Sequence, residues 1–147
     1  MTQSTGVTGR GITFEISDGE SPDGWVAIAN LASTGINGRT AEEIDFTHLA
    51  SSGGFREYRQ GFKDPGTIPL ELHFTPTETT HVDLLDKFIS GANFNWRINW
   101  SGAGIAMAEY GVGFVQNPGD LNINPNDPVG GAASVRVTGQ TTWSSAA

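Results

Sequence analysis

The chain has 147 residues, with 8 Lys and Arg against 16 Asp and Glu and a formal net charge of −8, a length that suits one domain with its own core. The acidic balance argues against a high-affinity nucleic-acid binder, whose affinity rests on neutralising phosphates, but not against a protein that DNA passes without sticking. Cysteine is absent, which removes disulfides, thiol chemistry and cysteine-ligated zinc. No basic-then-apolar leader opens the chain and no apolar run approaches the roughly 20 residues that span a bilayer. A soluble chain without membrane insertion, made and retained in a cytoplasm, is therefore expected.

Residues 1–9 are small and polar and are expected to form a flexible N-terminal arm. Ile12, Phe14 and Ile16 then alternate with Thr13, Glu15 and Ser17, the two-residue period of a strand with one buried face. Residues 18–24 form a turn by composition, and residues 25–29 read as the returning strand of a hairpin. Asn37-Gly38 can adopt the positive φ angles of a tight turn. From residue 67 a second alternation sets Ile68, Leu70, Leu72 and Phe74 against Thr67, Pro69, Glu71 and His73. Pro69 lacks a ladder donor, which predicts an edge strand or a break there.

A helix is predicted over residues 78–89, with Thr75 or Thr77 as its cap, Pro76 near its first turn and Gly91 as its stop. Val82, Leu85, Phe88 and Ile89 make one apolar stripe, predicted to lie on a sheet. Phe94, Trp96, Ile98 and Trp100 alternate with Asn95, Arg97 and Asn99. Residues 107–116 return as a strand, residues 117–131 read as a long turn, and residues 135–143 form a last strand with Val135 and Val137 inward. The sum is mainly β: a β-sandwich or partly open barrel of about six or seven strands, with one packed α-helix and a long extended loop.

Catalytic and ligand-binding patterns are sparse. His48, His73 and His81 do not stand at a metal-binding spacing and read as scattered surface or strand residues. There is no nucleophile elbow and no phosphate-binding loop, and Gly102-Ala103-Gly104 lacks the third glycine and the βαβ setting of a dinucleotide fingerprint. The chain is read as neither an enzyme nor a holder of a metal or cofactor. Phe94, Trp96 and Trp100 would suit sugar stacking if exposed, but the same parity is what core packing requires.

The segment over residues 42–66, EEIDFTHLASSGGFREYRQGFKDPG, is too charged and glycine-rich for a core element and too long for an ordinary connection. Ile44, Phe46, Leu49, Phe55, Tyr58 and Phe62 run through it, unlike disordered chain. It reads as an extended arm that orders against something, such as another copy. Its residues resemble a family signature: Glu42-Glu43-Ile44-Asp45, then Gly53-Gly54-Phe55-Arg56-Glu57-Tyr58, then Gly61-Phe62-Lys63-Asp64-Pro65-Gly66 look like the pattern of major tail tube proteins of phages with long non-contractile tails. Phe62 stands where that family usually has Leu. The order of hairpin, long arm, strand, helix and further strands also fits, so the resemblance covers nearly the whole chain. It stops short of the appended immunoglobulin-like domain that some members carry, which leaves a single tail-tube domain over residues 1–147.

The resemblance implies a structural virion subunit, assembled in the bacterial host cytoplasm. Homohexameric rings would stack into a tube, with roughly 24 strands lining a channel that passes double-stranded DNA without specific binding, since about 16–18 strands already enclose water. It also implies tape-measure, tail terminator and tail-tip proteins as partners. Residues 31–66 become the assembly loop. Glu42, Glu43, Asp45, Arg56, Glu57, Tyr58, Arg59, Lys63 and Asp64 are its expected contact residues within or between rings, Arg56 or Lys63 meeting a neighbour's Glu43 or Asp45. Glu15, Glu71 and Glu109, taken to lie on the polar parity of their strands, are candidates to face the lumen. Two alternatives stand beside this reading: a tube protein of a contractile injection or secretion system, and a carbohydrate-binding virion module.

Overall fold

The computed structural model of the chain describes residues 6–17 and 24–145. The expected turn at 18–24, apart from Gly24, and residues 1–5 of the expected arm lie outside the described residues. Nine strands and one helix follow in order: β1 (Thr13–Ser17), β2 (Trp25–Ala27), β3 (Leu31–Thr34), β4 (Thr40–Asp45), β5 (Tyr58–Asp64), β6 (Thr67–His73), α1 (Thr79–Ser90), β7 (Phe94–Asn99), β8 (Met107–Asn122) and β9 (Gly130–Ser145). Seven strands form one antiparallel sheet in the order β2-β1-β7-β8-β9-β6-β3, while β4 and β5 form a separate ribbon.

The sheet is curled, and its shape follows from one short link. β2 and β3 are its two edges, yet only residues 28–30 join them, and that length of chain reaches at most about 14 Å. Within the link, Ile28 donates its N–H to Phe14 O of β1 at 3.0 Å, and Asn30 O accepts from His73 N of β6 at 3.0 Å. The sheet is thus a partly open barrel that does not close by a continuous ladder.

Strand register decides what fills it. Phe14 stands opposite Ile98, Ile16 opposite Trp96, and Trp96 opposite Gly111. Val115 stands opposite Val135, and Val135 opposite Ile68. These apolar side chains, with Leu70, Leu72, Phe94 and Val137, form one buried cluster on the inner face. Gly111 lets the Trp96 indole lie flat against β8, because an added Cβ would stand 2.5 Å from Trp96 Cζ2. Phe94 and Trp96 are therefore core, and their rings are not offered to a ligand.

Helix α1 covers the open seam. It has Glu78 as N-cap with no side-chain cap bond, and Gly91, in the left-handed region, ends it through a bond to Lys87 O. The expected Thr caps are not used; instead Thr75 N donates to His81 Nδ1 at 3.1 Å. That fixes the neutral tautomer, so Nε2 carries the proton and donates to Ala29 O at 2.6 Å, while Ala29 N donates to Thr80 Oγ1. The N–H and carbonyl of Ala29, in the link between the two edges, are thereby both satisfied. His81 is buried, contrary to its reading as a surface or strand residue.

The predicted facing of the helix is corrected too. His81 and Leu84 are the side chains it buries, whereas Val82, Leu85, Phe88 and Ile89 remain exposed. A polar type at position 81 concealed the true inward stripe. Pro69 stands in a strand with neighbours on both sides, but the pairing with β3 ends at Thr34 and Leu70, one residue short of it. The carbonyl of Pro69 accepts from Thr34 Oγ1 at the last residue of β3. Its missing N–H points the same way, past the end of β3, so the edge rule is obeyed locally.

Candidate assembly interface

Residues 42–66 are not an extended loop. They build most of the β4–β5 hairpin, which the sequence concealed because neither strand has a buried face. Register runs Thr40 to Asp64, Ala41 to Lys63, then Glu43 to Gln60, Ile44 to Arg59 and Asp45 to Tyr58, with an irregularity between Ala41 and Glu43. Gly61 makes room for Ile44, whose Cδ1 would lie 2.9 Å from an added Cβ. Phe46 N extends the ladder by donating to Glu57 O at 2.8 Å.

The tip is tied by its own polar groups. Thr47 N donates to Asp45 Oδ1 at 2.8 Å, Ser51 Oγ donates to Glu57 Oε2 at 2.9 Å, and His48 Nε2 lies 3.2 Å from the same carboxylate oxygen. The bonds from the Thr47 hydroxyl and N–H hold the Asp45 carboxyl below the usual carboxylate range.

Two ion pairs fasten the root to the main sheet. Arg39 reaches across to Glu109 of β8, and Arg136 of β9 donates from Nη2 to both oxygens of Asp64 at 2.8 Å. The Arg136 hydrogen bonds, then the Gly66 N–H, hold Asp64 below the ordinary carboxylate range. Asn37 and Thr67 exchange both backbone bonds at 2.9 and 2.8 Å. Gly66 has φ +95°, and a Cβ there would fall 2.5 Å from Asn37 O, so only glycine fits without strain. Arg39 and Arg136 had no one-dimensional signal; only register brings them to the root.

The expected contact residues separate into three groups. Asp64 is a root anchor. Arg56, Asp45 and Glu57 already have partners within the hairpin, Arg56 at 3.8 Å from Asp45, both exposed and free to exchange. Arg59 lies over the Phe46 ring at 4.7 Å, and Glu42, Glu43 and Lys63 make no ion pair among the described residues. Tyr58 is half exposed. Around these charges stand Leu49, Phe55 and Phe62, the last 86% exposed.

Two of the three lumen candidates are buried within a single subunit. Glu109 shares the inner face with Ile98, its register partner, and is only 2% exposed. β8 inverts the usual pattern here: Glu109, Gly111 and Gly113 fall on the inner parity, Gly111 against the Trp96 indole, while Tyr110, Val112 and Phe114 fall on the outer. Glu15 lies on the outer face, buried against Arg97, whose Nε donates to its Oε2 at 2.8 Å. The Arg97 guanidinium also stacks over Trp25 at 4.9 Å. Desolvation works against that charge, but the bonds to Glu15 and Tyr110 outweigh it and raise the Arg97 pKa. A carboxylate buried in one subunit stays buried when several assemble, so neither can line a channel. Glu71 is exposed on the outer face of β6 and accepts from Ser33 Oγ at 3.0 Å.

Comparison with known proteins places this architecture. The family described as "Phage tail tube, TTP, lambda-like" matches residues 8–110. No curated protein matches the chain. Among solved structures, the virion of a native gene transfer agent particle is similar with a TM-score of 0.73 at 19% identity, covering 94% of this chain and 98% of that one. The SPP1 tail tube is similar with a TM-score of 0.68 at 11% identity, covering 95% and 80%. The sheath–tube complex of an extracellular contractile injection system, PVC, reaches 0.67 at 14% identity, covering 98% and 99%. At such identities these likenesses establish a shared fold.

Proposed function

Because the chain belongs to the lambda-like phage tail tube family, we propose that its copies close into hexameric rings that stack into a hollow tube conducting double-stranded DNA during genome ejection. The observation that carries this reading is the family match over residues 8–110. It is supported by a projecting hairpin that is rigid at its root and leaves large apolar side chains uncovered. A similar gene transfer agent tail is described with C6 symmetry, which supports six copies per ring.

The physics of assembly agrees. Edge strands β2, β3, β4 and β5 carry unpaired backbone groups, which proteins cover or pair to avoid open-ended association. Head-to-tail contacts with a closing rotation make a ring and use those edges. Glu42, Glu43, Tyr58, Arg59 and Lys63 are the contact residues of the hairpin, with Arg56, Asp45 and Glu57 exchanging internal partners for a neighbour's. Each exposed pair contributes only about 0–1 kcal/mol, so repetition around the ring gives them their effect. Glu71 faces the lumen, where a negative potential keeps DNA phosphates sliding. Tape-measure, terminator and tip proteins are the further partners, and host cytoplasm is the place of assembly.

A contractile-system tube shares the fold; the lambda-like family match favours the non-contractile tail. Electron microscopy of the purified protein at raised concentration tests the reading. Rings or tubes are expected, and persistent monomers would overturn it.

A further inference from the structure

α1 leaves a flank uncovered that the core does not need. Its inward side is filled by His81 and Leu84, yet Val82, Leu85 and Ile89 continue the apolar arc around the helix, and Ile89 is 73% exposed. At Val82 the arc meets a cleft of about 580 Å³ between α1 and β2, lined also by Val26, Ile28, the carboxylates Asp83 and Asp86, and Lys87. Asp83 is held by Lys87 at 3.6 Å; Asp86 meets no cation among the described residues. With Lys87 taken up by Asp83, the cleft sets its apolar side chains beside one carboxylate without a cation, Asp86.

The hairpin presents the opposite combination. Of the Lys and Arg residues without an ion pair among the described residues, Arg59 and Lys63 both stand on β5, and only Arg10 lies elsewhere. The acids Glu42, Glu43 and Asp45 sit on β4, and Asp64 is taken by Arg136. The ribbon is thus polarised, with a cationic edge on β5 that also carries the exposed ring of Phe62. Apolar area supplies the attraction and charge fixes the register.

We infer that the α1–β2 cleft of one copy seats the β5 edge of a second copy's hairpin, Phe62 entering among its apolar side chains and Lys63 meeting Asp86. The inference rests on the tube reading above and names the surface the hairpin grips. A neighbour's acidic β4 edge would be repelled from the same carboxylate.

The absence of cysteine makes the contact directly readable. Phe62→Cys chains and Val82→Cys chains, distinguished by a size tag on one, are co-assembled with wild-type protein, and the tubes are treated with a short bis-maleimide. A mixed dimer is expected, in yield several-fold above a control pairing Phe62→Cys with Ile123→Cys. Tubes that contain both variants but yield no mixed dimer above the control overturn the inference and leave the tube reading intact. Wild-type protein that never forms tubes overturns both. Should the apolar pair stay out of the tubes, Lys63→Cys with Asp86→Cys reads the same contact with the same two outcomes.

Discussion

Replacing Arg39 with Met removes the cation from Glu109, a carboxylate that the inner face of the sheet buries to 2% exposure. Removing one partner of a fully buried pair costs about 3–5 kcal/mol, because the other charge is left without compensation. Arg39 is 44% exposed, however, so water entering along its path solvates part of the orphaned carboxylate. A loss of about 2 kcal/mol follows. For a domain near this size that is about 4–8 °C in Tm. The double variant Arg39→Met with Glu109→Leu removes both charges and sets an aliphatic side chain beside Ile98 and Trp143. It should recover to within about 1 kcal/mol of the parent, since apolar replacements of buried pairs are often neutral. Urea unfolding of unassembled protein measures all three chains. A single variant within about 0.5 kcal/mol of the parent, the range of ordinary surface changes, would show that Arg39 does not compensate Glu109, as would a double variant no better than the single.

The other expectations concern the hairpin and its root. Lys63→Glu or Arg56→Glu should leave the monomer folded by circular dichroism while blocking polymerisation in light scattering; normal tubes would count against the contact role. Gly66→Ala should cost about 1–3 kcal/mol from the strained φ and the clash with Asn37 O, read as a lower urea midpoint. Asp64 has its folded pKa depressed by Arg136 and Gly66, so its contribution is present above the unfolded value of about 3.9 and is lost as pH falls through the lower folded value. Protection factors of the hairpin-root amides, taken against the intrinsic rate at each pH, should therefore fall below about pH 4, and Asp64→Asn should flatten that dependence.

What was legible in one dimension was whatever has one buried face. Ile12 to Ser17, Ile68 to Phe74 and Phe94 to Trp100 alternate because one side of each strand meets the core, and all three became strands. Gly91 ended the helix where expected. Elements without a buried face gave no such signal: β4 and β5 are exposed on both sides and read as loop, and β8 continues to Asn122 through residues that read as turn. Facing failed where side-chain type and environment part company. His81 lies inward because both ring nitrogens find backbone partners, and Glu109 lies inward because Arg39 compensates it. The family motif marked residues 42–66 as an arm but not as a hairpin, while the clamps at its root, Arg39 and Arg136, depend on register across distant strands and leave no local trace.

In the proposed tube, closed rings of copies are joined through the hairpin and stacked around an open channel. Helical reconstruction of tubes grown from this chain alone measures this arrangement directly. Six-fold rotational symmetry is expected, with each β4–β5 hairpin lying on a neighbouring subunit and Glu71 facing a channel wide enough for a DNA duplex. A tube in which the hairpins project into solvent and make no contact between subunits would contradict it.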